Sequence, residues 1–339
     1  MRKVSLVSTV FNEINNLENT ISDIENQTLK PDEIIITDAG SNDGTFERLM
    51  DWNISSTMNI QVLQEKKCNV ARGRNLAIAK SANDLILSTD FGCRFSPNWV
   101  ENMVEIYCQN ENKVIGGGFG VLEETLNSIS AKANFILTNQ YEISFDDYFI
   151  PSSRSILYHK NVWNKIGGYC EWLTLAADDL VFGKQIKALG IPIVFSESKD
   201  VLWGRHKTAK AYKKESYRYG LGDGEAKVNS KNAILNGVYF LIRILTLVFV
   251  TLVLCKKIGL IYLLIVAPFS YKAFYRYFKA FKTWNKLDKN KYTLGTLIFS
   301  FYLLEVTTIS YSHGFIKGYC FSSKEVKKKA QELNKMLKY

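Results

Sequence analysis

The sequence predicts an α/β domain built on a mostly parallel sheet, followed by membrane-associated helices. Short β-branched stretches alternate with helical patterns four times in under 110 residues, which is typical of a parallel sheet with crossover helices. Residues 1–230 hold 25 Lys and Arg against 29 Asp and Glu, whereas residues 231–339 hold 18 against 4. That positive charge flanks three long apolar runs, as in a membrane protein, instead of covering one binding face. We therefore expect no nucleic acid partner.

Periodicity and turn residues predict the elements of the first domain. Val4 to Val10 alternates like a strand, and residues 15–27 form a helical pattern with Leu17, Ile21 and Ile24 on one face. The further predicted elements are strands at 34–37, 59–63, 85–89, 114–121, 155–158 and 191–195, and helices at 45–52, 74–81 and 178–189. Ligands of such sheets bind beyond the carboxyl ends of the strands.

Three regions are predicted along the chain. They are an α/β domain at 1–230, a membrane-associated helical region at 231–320 with apolar runs at 233–255, 258–271 and 292–312, and a basic tail at 321–339. Buried core helices are the alternative for the apolar runs. Arg243 and Glu305 are the charges well inside them, and these two residues are candidates for an ion pair.

The predicted location is the membrane, with the first domain on the cytoplasmic side. Seven bases lie between 272 and 291 and seven more between 317 and 338, and such clusters favour the cytosolic face. The six cysteines form no paired motif, and the first residues contain no secretory leader pattern. The preferred topology is a hairpin at 233–271 that crosses twice, with the third run re-entrant or interfacial.

Polar side chains gather where the predicted strands end. Thr9 and Glu13 follow the first strand, Asp38 the second, and Asp90 the fourth. Carboxylates at this edge can bind a ribose or hold a divalent cation against phosphates, so together they indicate a nucleotide with its metal. A polar turn that caps a helix is the alternative for 38–45. The sequence contains neither GxGxxG nor a P-loop, which disfavours dinucleotide cofactors and P-loop hydrolysis.

Several short motifs occur in one order along the chain. They are Thr9-Val-Phe-Asn-Glu13, Ile35-Ile-Thr-Asp-Ala-Gly-Ser-Asn-Asp-Gly-Thr45, Arg72-Gly-Arg-Asn75, Leu85-Ile-Leu-Ser-Thr-Asp90, Gly167-Gly168 and Ala177-Asp-Asp-Leu180. With them, residues 3–225 resemble the family 2 glycosyltransferases of GT-A fold. The resemblance implies a Rossmann-like sheet with flanking helices and a nucleotide-sugar donor, most simply a UDP-sugar.

The resemblance also implies roles for individual residues. The residues that would hold the nucleotide are Thr9, Glu13, Asp38, Arg74 and Asp90. The family's Asp-x-Asp falls on Asp90-Phe91-Gly92, so the second carboxylate is missing. A divalent metal, Mn²⁺ or Mg²⁺, would then be held by Asp90 and the nucleotide's phosphates, with His206 as a further ligand. A surface or stacking role for His206 fits equally well.

Asp178 and Asp179 are the predicted catalytic pair. They open a helix, where the helix dipole favours ionised carboxylates. By analogy with the family, Asp179 would be the base that deprotonates the acceptor, and Asp178 would orient it; a plain N-cap pair is the alternative. Arg205 and Arg218 are predicted to stabilise the departing diphosphate.

These features predict a membrane-associated, inverting glycosyltransferase with a membrane-lipid, lipid-linked or glycan acceptor. Glu215-Ser-Tyr-Arg-Tyr219 stands where processive members carry Gln-x-x-Arg-Trp, which favours transfer of a single sugar. A non-catalytic sensor or scaffold that binds a nucleotide sugar is the alternative, since Gly92 departs from the family pattern.

Overall fold

A computed structural model describes residues 2–138, 149–255 and 262–337 of the chain, with the side chains of 262–269 left out. These residues form two compact units. The first unit comprises the described residues of 1–123, 144–204 and 323–339, and the second those of 124–143 and 205–322. The divisions thus fall at other points than the predicted boundaries at 230 and 321.

The first unit contains all ten strands that the described residues form. They are β1 (Val4–Val10), β2 (Glu33–Asp38), β3 (Ile60–Gln64), β4 (Leu85–Asp90), β5 (Arg94–Phe95), β6 (Val114–Gly116), β7 (Phe119–Val121), β8 (Ile156–His159), β9 (Ile193–Phe195) and β10 (Val201–Trp203). Seven form one sheet in the order β3-β2-β1-β4-β8-β6-β9, and β5, β10 and β7 form a small second sheet. Strands β1 to β4 pair in parallel, whereas β8 is antiparallel to its neighbours β4 and β6. The predicted mostly parallel α/β sheet is confirmed.

Twelve α-helices lie within the described residues. They are α1 (Ile14–Glu25), α2 (Thr45–Ser55), α3 (Val70–Lys80), α4 (Trp99–Gln109), α5 (Ile129–Thr138), α6 (Lys160–Ile166), α7 (Asp178–Ala188), α8 (Ala209–Ala226), α9 (Ser230–Leu254), α10 (Tyr262–Lys286), α11 (Leu294–Phe321) and α12 (Lys324–Met336). Helices α5 and α8 to α11 belong to the second unit, and the other seven belong to the first.

Both faces of the main sheet are covered, which explains the uninterrupted apolar run of three isoleucines in β2. Ile34 and Ile36 join one buried cluster that includes residues of α1 and α4, whereas Ile35 joins the opposite cluster with residues of α3. All three side chains are almost completely buried. Burial on both faces stabilises the sheet, and polar residues are found instead at the ends of the strands.

Helix α3 begins four residues earlier than the predicted helix at 74–81. Its N-cap is Asn69, whose side chain accepts a hydrogen bond from the Arg72 main-chain N–H. Asn is a favoured N-cap residue, so this start signal explains why the helix begins at Val70. Arg74 consequently lies inside the helix and points into the unit.

The second unit is helical, and two of its helices touch backbone to backbone. A Cβ added at Gly220 or Gly224 of α8 would lie 2.0 or 2.3 Å from a carbonyl oxygen of α11. The same holds in reverse for Gly314 and Gly318 of α11, at 2.2 Å each. This close approach requires glycine at all four positions.

Helices α9 and α11 are, by length and composition, long and apolar enough to cross a membrane. They correspond to the predicted runs at 233–255 and 292–312. Of the middle run at 258–271, residues 262–271 form the first part of α10, and residues 258–261 lie outside the described residues. The structure confirms the Arg243–Glu305 pair, with 2.8 Å between Nε and Oε1. Tyr277 donates a hydrogen bond to the same carboxylate at 2.7 Å.

Helix α12 packs within the first unit, although its sequence predicted a separate basic tail. Ala330 and Leu333 are buried. The Gln185 side chain of α7 lies against Met336, with 3.6 Å between Nε2 and Sδ. The far end of the chain is therefore part of the same unit as the sheet.

Candidate active site

The carboxyl ends of three adjacent parallel strands carry the polar residues predicted to bind a ligand. Thr9 of β1 is opposite Asp90 of β4, and Val10 is opposite Asp38 of β2. Since neighbouring strands lie about 4.8 Å apart, the main chains of Asp38 and Asp90 are roughly 10 Å from each other. The predicted gathering of these residues at one edge is present.

Arg74 links two carboxylates that are distant in the sequence. Its guanidinium donates hydrogen bonds to both Asp90 and Asp178, and its side chain is only 4% exposed. The ring of Tyr169 lies 5.5 Å from the guanidinium carbon. Arg74 was predicted to contact the nucleotide, but this geometry favours a positioning role, because its charge is taken up by the two aspartates.

Asp90 and Asp178 both pair with Arg74, but their surroundings shift their pKa values in opposite directions. Burial alone would raise the pKa of Asp90, but the guanidiniums of Arg74 and Arg154 outweigh it and hold that pKa below its ordinary value. Burial raises the pKa of Asp178 to about 6 despite Arg74, and the negative charges of Asp179 and Asp90 add to the rise. Asp90 is therefore a firmly ionised carboxylate, whereas Asp178 takes up a proton in mildly acidic solution.

Asp178 and Asp179 form the first turn of α7 and point to different partners. The N-cap residue is Ala177, in the left-handed region at φ 73°, and no side chain caps the helix. The alternative that the two aspartates are an N-cap pair thus finds no support. Asp178 is buried on Arg74, whereas Asp179 remains partly exposed. Asp179 accepts hydrogen bonds from the Leu180 N–H at 2.8 Å and from the Ser152 hydroxyl at 3.4 Å.

A short segment before β8, residues 151–155, reaches both parts of this cluster and was missed by the sequence reasoning. Its Ser152 contacts Asp179, and its Arg154 Nε lies 3.3 Å from Asp90 Oδ2. The guanidinium carbon of Arg154 also lies 4.4 Å from the ring centroid of Trp203. The available signal was a single arginine in the polar Pro-Ser-Ser-Arg-Ser segment just before an apolar strand.

Asp38 and Thr9, which were predicted to bind the nucleotide, are both in contact with neighbouring protein groups. The Asp38 carboxylate is fully buried and accepts hydrogen bonds from the main-chain N–H groups of Gly40 and Ser41, at 2.9 and 3.0 Å, and from Gln64 at 3.2 Å. The Thr9 hydroxyl lies against Gly73 of α3, where an added Cβ would be only 2.4 Å away. Both residues shape the edge of the site, and their contact with a nucleoside stays a prediction.

Glu13 lies beside Gly92, the position where the second carboxylate of the family motif is missing. Gly92 has a φ of +91°, and a Cβ there would be 2.8 Å from Glu13 Oε2. Burial raises the pKa of Glu13, and the nearby charges of Asp43 and Asp90 raise it further. Glu13 therefore adds an acidic group close to Asp90 from another part of the chain.

The predicted metal site has a limited set of donors. Among the residues that the structure describes, no group of three His, Cys, Asp or Glu side chains is arranged to hold a metal ion. Both carboxylate oxygens of Asp90 are paired with arginines, Oδ1 with Arg74 and Oδ2 with Arg154. A divalent ion held by Asp90 would take the place of Arg154 on Oδ2 and would draw most of its other ligands from substrate phosphates and water.

Three predicted residues belong to the second unit. His206 contacts Glu215 and Tyr212 of α8, with 3.6 Å between Nε2 and Glu215 Oε1. The main-chain N–H of Arg205 donates to the Thr125 hydroxyl at 2.9 Å, and Arg218 is exposed on α8. The metal-binding role of His206 and the phosphate-binding roles of Arg205 and Arg218 stay predictions.

Comparison with known proteins adds three findings. Residues 5–167 match the family described as glycosyl transferase family 2. The O-antigen chain rhamnosyltransferase RfbN of Salmonella typhimurium strain LT2 is 25% identical over 198 residues, which cover 55% of this chain and 62% of that relative. The alignment thus spans less than two thirds of the relative's length.

The third finding concerns the fold. The mannosyltransferase PcManGT from Pyrobaculum calidifontis, solved in complex with GDP-Man and Mn²⁺, superposes with a TM-score of 0.57 and 13% sequence identity. The superposition covers 95% of this chain and 89% of that one. The α/β sheet followed by helices is accordingly the GT-A-like arrangement that the sequence predicted.

Proposed function

We propose that the protein transfers a sugar from a nucleoside diphosphate sugar to a hydroxyl group, with inversion at the anomeric carbon, because residues 5–167 match the family described as glycosyl transferase family 2. The observation that carries the proposal is the partly exposed carboxylate of Asp179 beside the buried cluster of Arg74, Asp90 and Asp178. A base next to fixed charges at the ligand-binding edge of the sheet is what this reaction needs.

In the proposed reaction, Asp179 accepts the proton of the acceptor hydroxyl. The acceptor oxygen forms a bond to the anomeric carbon while the bond from that carbon to the diphosphate oxygen breaks, and the electron pair leaves with the diphosphate. A single base opposite the leaving group gives inversion. Asp178 and Arg74 hold the start of α7, and with it Asp179, in place.

A divalent cation, Mn²⁺ or Mg²⁺, is proposed to neutralise the diphosphate when it is bound, with Asp90 as the residue that holds it. The support is the position of the Asp90 carboxylate at the carboxyl end of β4 and the Mn²⁺ in the structural neighbour. UDP is the proposed nucleotide, and GDP is the main competitor because that neighbour was solved with GDP-Man.

The acceptor is proposed to be lipid-linked or a surface glycan, with single transfer. Two helices long and apolar enough to span a membrane support a site close to a lipid surface, with the catalytic unit on the cytoplasmic side where nucleotide sugars are made. The similarity to an O-antigen chain rhamnosyltransferase supports a glycan product.

The test is donor binding and turnover by the full chain in detergent, with UDP-, GDP- and dTDP-sugars, each with and without Mn²⁺. The full chain is needed because α12 is part of the first unit. We expect one nucleotide class to bind, and we expect Asp179→Asn to lower turnover roughly hundredfold to ten-thousandfold while donor affinity stays within twofold. Asp51→Asn, an exposed carboxylate on α2, is the matched control.

The sensor or scaffold alternative makes a different prediction in the same experiment. It predicts that the wild-type chain binds a donor sugar nucleotide but transfers no sugar, with or without Mn²⁺ and with every lipid or glycan acceptor that is tested. Turnover by Asp179→Asn at the wild-type rate would instead remove Asp179 as the base.

A further inference from the structure

We propose that Arg154 binds the diphosphate of the donor, as a phosphate-binding residue that does not depend on a metal. The inference rests on the proposed function. Arg74 and Arg154 both pair with Asp90, but their side chains differ in solvent exposure. The Arg74 side chain is 4% exposed, whereas that of Arg154 is 33% exposed.

The backbone ties Arg154 to the end of β4. Strands β4 and β8 pair antiparallel with Ser88 opposite Ile156, and Arg154 lies in the turn just before β8. The Thr89 hydroxyl donates to the Arg154 carbonyl oxygen at 2.8 Å and ties the segment to β4. Arg154 is therefore held beside the carboxyl end of β4, where ligands of such sheets bind.

The side chain of Arg154 is held on two sides. Asp90 lies 3.3 Å from Nε, and the Trp203 ring lies under the guanidinium. Trp203 itself stacks on Phe119, with 4.4 Å between ring centroids. Stacking of this kind orients the flat guanidinium, which then loses less entropy when it binds a ligand.

The chemistry of this arrangement suits a diphosphate. A guanidinium presents five N–H donors in one plane and matches two phosphate oxygens at once. Asp90 and the aromatic platform fix the group, and one third of its surface faces outward at the edge where ligands of such sheets bind. Arg74 lacks this access, so Arg154 is the guanidinium of the pair that meets the donor's negative charge.

The test compares a nucleoside with its diphosphate in EDTA, which removes any contribution from divalent metal. Calorimetry on the purified full chain gives Kd for UDP against uridine, and for GDP and dTDP against guanosine and thymidine. For the base that binds, we expect the wild-type chain to prefer the diphosphate by roughly tenfold to a hundredfold, the range of hydrogen bonds to charged groups. Arg154→Gln should lose that preference and keep its affinity for the nucleoside.

Two further variants keep the outcome interpretable. Arg154→Lys retains the charge without the planar donors, so its preference should fall between those of wild type and Arg154→Gln. Arg48→Gln removes a cation from a pair with Glu18 on the surface and should change nothing.

An unchanged diphosphate preference in Arg154→Gln would overturn the inference while leaving the proposed function intact. Loss of nucleoside affinity together with the preference, in both Arg154 variants, would also overturn it and assign Arg154 a structural role. A wild-type chain that binds none of the nucleosides or diphosphates would instead contradict the proposed function itself.

Discussion

Among the described residues, each unit buries one arginine, and the two arginines differ in what surrounds them. Arg243, in the helical unit, is 7% exposed and pairs with Glu305, and it donates to the Ala273 carbonyl oxygen. Arg74, in the sheet unit, is 4% exposed and pairs with two aspartates. The first arrangement is a neutral pair closed by neighbouring groups. The second arrangement also includes Arg154 and the carboxylate of Asp179. It therefore contains three carboxylates and two guanidiniums, so one negative charge is left over.

This contrast separates a structural ion pair from a site that can react. A closed pair contributes to the fold. A cluster with one carboxylate in excess has a perturbed pKa and a partly exposed group, and such features are typical of catalytic sites.

The largest effect is expected from Arg74→Met, which leaves Asp90 and Asp178 without their shared cation. Removing one partner of a buried ion pair costs about 3–5 kcal/mol, so we expect a clear drop in thermal stability and loss of turnover. The double variant Arg74→Met with Asp178→Leu should recover much of the stability and none of the activity. Thermal unfolding and turnover of both variants check this, and recovered activity in the double variant would contradict the positioning role.

The corresponding change in the helical unit should behave differently. Glu305→Arg alone places two cations together and should lower expression and thermal stability strongly. Exchanging the residues, as Arg243→Glu with Glu305→Arg, should restore part of both, because the pair is satisfied in either direction. Expression level and unfolding temperature are the measurements, and a double exchange that behaves like the single change would argue that the surroundings accept only one orientation.

A moderate effect is expected from pH. Since the pKa of Asp178 is raised to about 6, lowering the pH through 6 protonates it, weakens its bond to Arg74 and should reduce kcat/KM. The sign for stability is opposite. A carboxyl whose folded pKa lies above its unfolded value favours folding when protonated, and this contribution is lost as pH rises through about 6.

The pH profile of kcat/KM is the measurement, with Asp178→Asn as the comparison. In Asp178→Asn, kcat/KM should no longer fall near pH 6, even if it is lower than in the wild-type chain at every pH. A limb that persists unchanged in Asp178→Asn would assign it to another group.

The smallest effect is expected at Gly92. Gly92→Ala forces a side chain into the left-handed region, at about 1–2 kcal/mol, and adds a contact with Glu13. Gly167→Ala is the matched control, because Gly167 also has a positive φ but nothing within 4 Å of an added Cβ. Chemical denaturation should show a larger loss for Gly92→Ala, and equal losses would mean that Glu13 simply moves aside.

Periodicity and strand-end residues were enough to predict most of the sheet and the edge that carries the site. β1 has its predicted bounds, β2 extends one residue beyond the prediction at each end, and β4 extends one residue beyond it at the carboxyl end. The apolar side chains of these strands are buried on both faces of the sheet. Arg154 was not predicted, since its position depends on an antiparallel pairing between β4 and β8 that joins residues far apart in the chain. The bridge made by Arg74 was missed for the same reason, as Asp178 lies 104 residues away from it.

The return of α12 to the sheet unit limits how the protein can thread through a bilayer. The strands come before the apolar helices in the chain and α12 comes after them, yet both are packed into one body. If the apolar helices between the strands and α12 cross a bilayer while this packing is kept, the number of complete passages would be even. An odd count, measured by labelling of single introduced cysteines in intact cells, would mean that this packing is undone when the protein inserts.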